Sequence, residues 1–200
     1  MRQSHVLALA MLAAAPPAVV CAQPADAAAA VISQFNDALL GTMKQGKQLG
    51  SNGRFSKLQP VITRTFDLPT MTRFAVGSTW TGLKPADQAA LVKAFTRMTV
   101  ATYAHNFDSY NGQRFVIDKV ETRGPDKLVR TRLIGGKETA QLTYRMRQSG
   151  GSWKVIDVYY NNSVSSLLGQ RSEYASTLKT GGPGALVKKL NNHADDLLTG

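Results

Sequence analysis

The sequence predicts an α+β fold, a twisted four-stranded antiparallel meander covered by helices from both termini and enclosing an apolar cavity. Three observations carry that prediction. Four β-prone runs between Gln113 and Tyr160 are joined by glycine-rich turns too short for a crossover. Apolar residues recur at helical spacing before this region and again after Asn161-Asn162. The helix that starts near Pro85 carries an apolar arc broader than a surface helix needs, the pattern expected of a helix that also faces a chamber.

The N-terminus has the layout of a secretory signal peptide. Arg2 supplies a positive charge, Val6 to Ala15 is wholly apolar, Pro16-Pro17 ends the run, and Val20-Cys21-Ala22 offers a cleavage site after Ala22. The run is too short to span a bilayer. Residues 1–22 are therefore expected to be the signal and residues 23–200 a single exported domain. Cys21, the only cysteine, leaves with the signal on this reading, so no disulfide forms and the core alone must hold the fold. The alternative, a lipid anchor on Cys21, needs a better small-residue box than Ala18-Val19-Val20. With 24 Lys+Arg against 13 Asp+Glu the chain is strongly basic, but its bases are scattered. Export argues against nucleic acid and for the negative face of a membrane or an acidic partner.

The elements follow in order. Val31, Phe35, Leu39 and Met43 recur once per turn in a helix from Asp26, which Gly46 and the Gly50–Gly53 cluster end. A short helix places Phe55, Leu58 and Ile62 on one side. Asp67 is expected to cap a third helix, with Pro69 in its first turn and Gly77 at its end. The helix from Pro85 puts Leu91, Phe95, Met98 and Thr102 in one narrow arc. The strands are expected at 113–122, 127–134, 137–148 and 152–160. The third alternates cleanly, with Ala140, Leu142, Tyr144 and Met146 on one face and Gln141, Thr143, Arg145 and Arg147 on the other. Beyond it, Val164, Leu167, Leu168, Tyr174 and Leu178 begin a helical tail. Gly181-Gly182-Pro183-Gly184 breaks the tail before a last helix with Leu186, Leu190 and Leu197.

No catalytic constellation stands out. His5 lies in the signal, and His105 and His193 have no metal-ligand spacing. There is no nucleophile elbow, P-loop or dinucleotide fingerprint. Gly135-Gly136-Lys137 joins two strands and reads as a hairpin turn. Asp118 and Asp157 lie inside strands. Strict alternation puts Asp157 on one face with Trp153, Val155 and Tyr159. It is either a buried acid of unusual pKa or, as we expect, the partner of an arginine such as Arg130, Arg132 or Arg145.

Ser152-Trp-Lys-Val-Ile-Asp-Val158 is followed by Ser163-Val-Ser-Ser-Leu167, Arg171-Ser-Glu-Tyr174, Gly182 and Leu186 to Leu190. Upstream stand Arg73-Phe-Ala-Val-Gly77, Pro85-Ala-Asp-Gln88 and Phe95. In order and spacing these resemble the MlaC family, also called toluene-tolerance or auxiliary ABC-transport proteins, over nearly all of Val31 to Leu198. The Arg-Ser-Glu-Tyr stretch and Gly181-Gly182 look closest to the HpnM branch, associated with hopanoids. The resemblance implies a periplasmic carrier, not an enzyme, with no cofactor or metal and a bound lipid as cargo. Such a carrier shuttles phospholipid or hopanoid between an inner-membrane transporter complex and an outer-membrane partner, with transient membrane contact. Predicted inward faces and family-like segments together nominate Phe74, Trp80, Phe95, Met98, Tyr103, Leu142, Tyr144, Val155, Val158, Val164 and Leu167 as lipid-binding. The face bearing Arg145 and Arg147 is expected to meet a partner or membrane. Two other readings stand beside this one. The first is a small secreted enzyme of cone-shaped α+β fold using a buried aspartate, and the second is a periplasmic adaptor with a solid core.

Overall fold

The structure, a computed structural model, describes residues 26–136, 139–161 and 165–199. The expected signal at residues 1–22 and the candidate Val164 lie outside the described residues. Three helices lead, α1 (Ala27–Met43), α2 (Gly46–Thr65) and α3 (Leu68–Val76), then a 3₁₀ turn (Gly77–Gly82) and the long α4 (Pro85–Asn106). Strands β1 (Arg114–Arg123), β2 (Asp126–Ile134), β3 (Ala140–Ser149) and β4 (Ser152–Tyr160) form one sheet in chain order, antiparallel throughout. Helix α5 (Ser166–Thr199) closes the chain.

Local chemistry accounts for most boundaries. Asp26 accepts from the N–H groups of Ala28 and Ala29 at the start of α1. Its other oxygen pairs with Lys127 on β2, which ties the helix start to the sheet. The buried face of α1 is Ala28, Ile32, Phe35, Leu39 and Met43, so Ile32 and not Val31 leads the stripe. Asp67 caps α3 through the Thr70 N–H with Pro69 in the first turn, as expected. Gly77 ends that helix at φ 72°.

Of two glycine signals read from the sequence, one acts differently in the structure and one acts as read. Gly46 does not terminate α1; it opens α2, and its α-carbon sits against the Asp108 carbonyl, where a Cβ would come within 1.7 Å of the oxygen. Gly182 (φ 68°) is non-helical and divides α5 into two helical runs, the break the sequence predicts before the last helix.

The sheet has two distinct faces. Val129, Tyr144, Met146 and Val155 are buried on the inner face with the helices. On the outer face acids and bases alternate across strands. Arg132 makes a bidentate pair with Asp118 at 2.6 Å, and those bonds hold the Asp118 carboxyl below its ordinary value. Hydrogen bonds from Lys119 and Arg130 pull Glu121 down to about 2. Asp126 is almost fully buried, which alone would raise its pKa, but bonds from Arg147 and Arg145 outweigh burial and the carboxyl titrates low. Arg145 and Arg147, expected to face a partner, are thus already engaged with one acid.

Each edge strand carries a bulge. In β4 the register slips between the Arg145–Asp157 and Met146–Val155 pairs, leaving Ile156 as the extra residue. Val155 and Val158 consequently both face inward. Asp157 and Tyr159 turn outward, which corrects the strict-alternation placement of Asp157 with Trp153 and Val155.

Replacing Gly46 with Ala forces the α2 start off the Asp108 carbonyl. We expect a loss of about 2–4 kcal/mol, read as a Tm drop of several degrees with the far-ultraviolet dichroism retained at low temperature. A Tm unchanged within 1–2 °C would contradict the close approach.

Candidate functional site

Helix α4 packs on α2, α3 and α5, and its backbone makes no comparable approach to any strand. The stand-off is propped by aromatic rings. Phe35 lies edge-on to Phe66, Tyr103 and Tyr144 at centroid distances of 5.3, 5.4 and 6.0 Å. Tyr103 stacks on Phe107 at 5.7 Å, and Phe107 reaches Phe115 of β1 at 6.1 Å. Beside this wedge the space between helix and sheet is left open as a cleft of about 560 Å³.

One wall of the cleft comes from α4: Phe95, Met98, Thr99, Thr102, Tyr103 and Asn106. The opposite wall is the inner sheet face: Leu133, Ala140, Leu142, Val158 and Tyr160. Phe66 and Met71 close one end, and Ser166, Leu167 and Gln170 at the start of α5 form a third side. Among the described residues every lining side chain is uncharged, in a chain of net charge +11. The polar ones are hydroxyls and amides. Thr102 returns its hydroxyl proton to the Met98 carbonyl at 2.9 Å, so that position presents mainly a methyl group. A cleft so lined can hold hydrocarbon. Among the described residues its lining carries no charged side chain, and no metal-binding cluster occurs.

Of the residues nominated from the sequence, Phe95, Met98, Tyr103, Leu142, Val158 and Leu167 come together on this lining. Tyr144 and Val155 are fully buried in the packed core and are absent from the cleft wall. Trp80 sits in the 3₁₀ turn, where its carbonyl accepts from Gln88, away from the cleft. Phe74 is exposed and lines a second, smaller groove on the outer side of β4. Asp118 is paired with Arg132. Asp157 lacks the arginine partner expected of it: its register neighbour Arg145 is committed to Asp126, and among the described residues no base lies within ion-pair distance. Asp157 also opens onto the outer groove and not the main cleft. Phe66, Met71, Phe107, Leu133 and Tyr160 were not nominated. Met71 lies within the short α3, and the other four sit at or just beyond the ends of elements, where periodicity says least about facing.

A model of the MlaC protein family matches residues 33–192. The chain belongs to the MlaC family. Among curated proteins none matches it significantly. Among solved structures, the phospholipid-binding protein from Ralstonia solanacearum, in complex with a phospholipid, is similar in fold, with a TM-score of 0.76. It is 24% identical, over 86% of this chain and 99% of that one. The meander with helices from both ends is thus the fold expected of this MlaC-family member.

The Tyr144 hydroxyl is buried without a well-formed hydrogen bond among the described residues. Burial raises its pKa well above the ordinary 10.0, and the nearby Tyr103 adds to the shift. A tyrosine whose folded pKa is raised contributes stability that is intact below pH 10.0 and is lost as pH climbs beyond it, because the unfolded chain ionises first. Tyr144→Phe is therefore expected to be neutral or to stabilise by up to about 1 kcal/mol at pH 7. It should also flatten the loss of stability above pH 10. Denaturant titrations at pH 7 and 10.5 check both, and a loss above about 2 kcal/mol at neutral pH would show that the hydroxyl is satisfied.

Proposed function

We propose that this MlaC-family protein is a periplasmic phospholipid carrier that holds acyl tails in the cleft between α4 and the sheet. The observation that carries the reading is the cleft itself, apolar, uncharged and open, in a fold shared with a phospholipid-bound protein. Its volume falls within the roughly 300–1,000 Å³ common for small-molecule sites. Family membership supports the periplasmic address. Residues 1–22 act as the export signal on this reading, and no described helix is long and apolar enough to cross a membrane.

The physical task is to keep hydrocarbon from water. At about 0.8 kcal/mol per methylene, a two-chain lipid with roughly thirty methylenes represents on the order of 24 kcal/mol of transfer free energy. The carrier need only match a bilayer, since the lipid moves between two apolar surroundings. Phe95, Met98, Tyr103, Leu142, Val158 and Leu167 would contact the tails. The head group would stay near the amide and hydroxyl groups of Asn106, Ser166 and Gln170. Cargo would be taken from one membrane complex and passed to another, inner-membrane transporter to outer-membrane partner or the reverse, and direction would come from those partners. A hopanoid, suggested by the likeness to the HpnM branch, is the other cargo the cleft could take. The enzyme reading loses its main support, because Asp157 does not face the main cleft.

Gentle purification, organic extraction and mass spectrometry test this directly. About one phospholipid per chain is expected; hopanoid in its place would change the cargo, and no lipid at all would defeat the reading. Ala140→Trp places an indole in the cleft from a half-exposed position. It should cut recovered lipid at least tenfold while leaving the dichroism spectrum unchanged. Undiminished lipid in that variant would put the tails elsewhere.

A further inference from the structure

The outer side of β4 carries a second groove, of about 200 Å³, between that strand, α3 and the start of α5. Two of its apolar side chains are unusually exposed for their size, Phe74 at 45% and Leu168 at 54%. Ile156, the extra residue of the β4 bulge, forms part of the floor. The groove also holds two charges that have no ion-pair partner among the described residues. The Asp157 carboxylate is only 6% exposed, and its one hydrogen bond among the described residues is from the adjacent Val158 N–H at 2.8 Å. The Arg171 guanidinium stands over Gly77, where it has neither hydrogen bond nor ion pair among the described residues. Asp157 and Arg171 line the same groove without pairing to each other. Every other acid on the outer sheet face has a base bound to it.

A nearly buried carboxylate without a cation costs stability unless something supplies donors. Aromatic, arginine and aliphatic groups around a small concavity are the composition of a protein-binding hot spot. We propose that this groove is a docking site for a partner protein, which seats one large apolar side chain between Phe74 and Leu168. The same segment sets a carboxylate on Arg171 and brings a backbone N–H or an ammonium group to Asp157. A membrane surface fits less well, because its phosphates would meet the Asp157 carboxylate as a like charge. The groove is separate from the lipid cleft, but the two share Leu167 as a wall. A segment docked here therefore lies against the back of the cleft lining.

The proposal is tested with a random dodecapeptide library displayed on phage and panned against the full chain. Enriched peptides are expected to combine an acidic residue with a leucine or an aromatic. Their affinity by calorimetry should fall at least tenfold on F74A and on R171E, and on D157N for peptides that carry a lysine. Phe74 and Arg171 are exposed, so these variants should keep the wild-type dichroism and Tm. Lipid recovered from them should also be unchanged, which separates failure here from failure of the carrier reading. No enrichment, or peptides that bind the variants equally, overturns the proposal. So does anionic vesicle binding, or a concentration-dependent dimer, that the same substitutions abolish.

Discussion

The structure depends on the aromatic wedge that keeps α4 away from the sheet. A helix laid directly on a sheet would bury its stripe and leave no room between the layers. Here Phe35, Phe66, Tyr103 and Tyr144 stand edge-to-face between them with Phe107 stacked on Tyr103, and close-packed rings do not compress. The chain therefore keeps an unfilled volume next to its best-packed region. An enclosed void of 560 Å³ would cost on the order of 13 kcal/mol, at about 24 cal/mol per Å³, which is comparable with the whole stability of a domain. The protein avoids that cost by leaving the space open to solvent. What remains is hydrated apolar surface, and an apolar occupant relieves it.

The distribution of charge follows the same division. Among the described residues no base or acid lies on the cleft lining, and the outer sheet face gathers several into cross-strand pairs. Charges on the inner face would need partners there to offset desolvation. Lys127 shows how that is met. It lies on the inner side of β2, but its ammonium group reaches Asp26 at the sheet margin and covers the Trp153 ring at 4.9 Å. Its charge is thus satisfied at the far end of the sheet from Leu133 and Ala140, and the cleft stays neutral.

The meander was legible because its turns are. Gly124-Pro125, Gly135-Gly136 and Gly150-Gly151 punctuate the strands, and β4 runs from Ser152 to Tyr160 as the sequence predicts. The wall of α4 was legible because Phe95, Met98 and Thr102 keep strict helical spacing over a long helix. What could not be read is whatever depends on a single inserted residue or on depth. Nothing in Val155-Ile156-Asp157-Val158 announces the bulge, yet that one extra residue moves Asp157 to the outer face opposite Arg145, an arginine that Asp126 already holds. Tyr144 alternates correctly and faces inward, but how deep it sits is decided by Phe35 from a distant helix. Gly46 reads as a helix terminator because glycine serves both ends and close contacts. Only the Asp108 carbonyl, folded back from the end of α4, shows which role it has here.

Leu167 shows how the two concavities depend on each other. It is nearly buried, yet it contributes to both, because the first turn of α5 is a partition a single side chain thick at that point. Ser165 fixes this turn from both directions, bridging to Tyr159 of β4 and accepting the Leu168 N–H at 3.1 Å. The turn therefore moves with β4 and not freely. Since β4 supplies Val158 and Tyr160 to one cleft and Ile156 and Asp157 to the other, the bulge sets the spacing of both at once. In a densely packed interior, a shift at this strand cannot alter one side of the partition and leave the other unchanged.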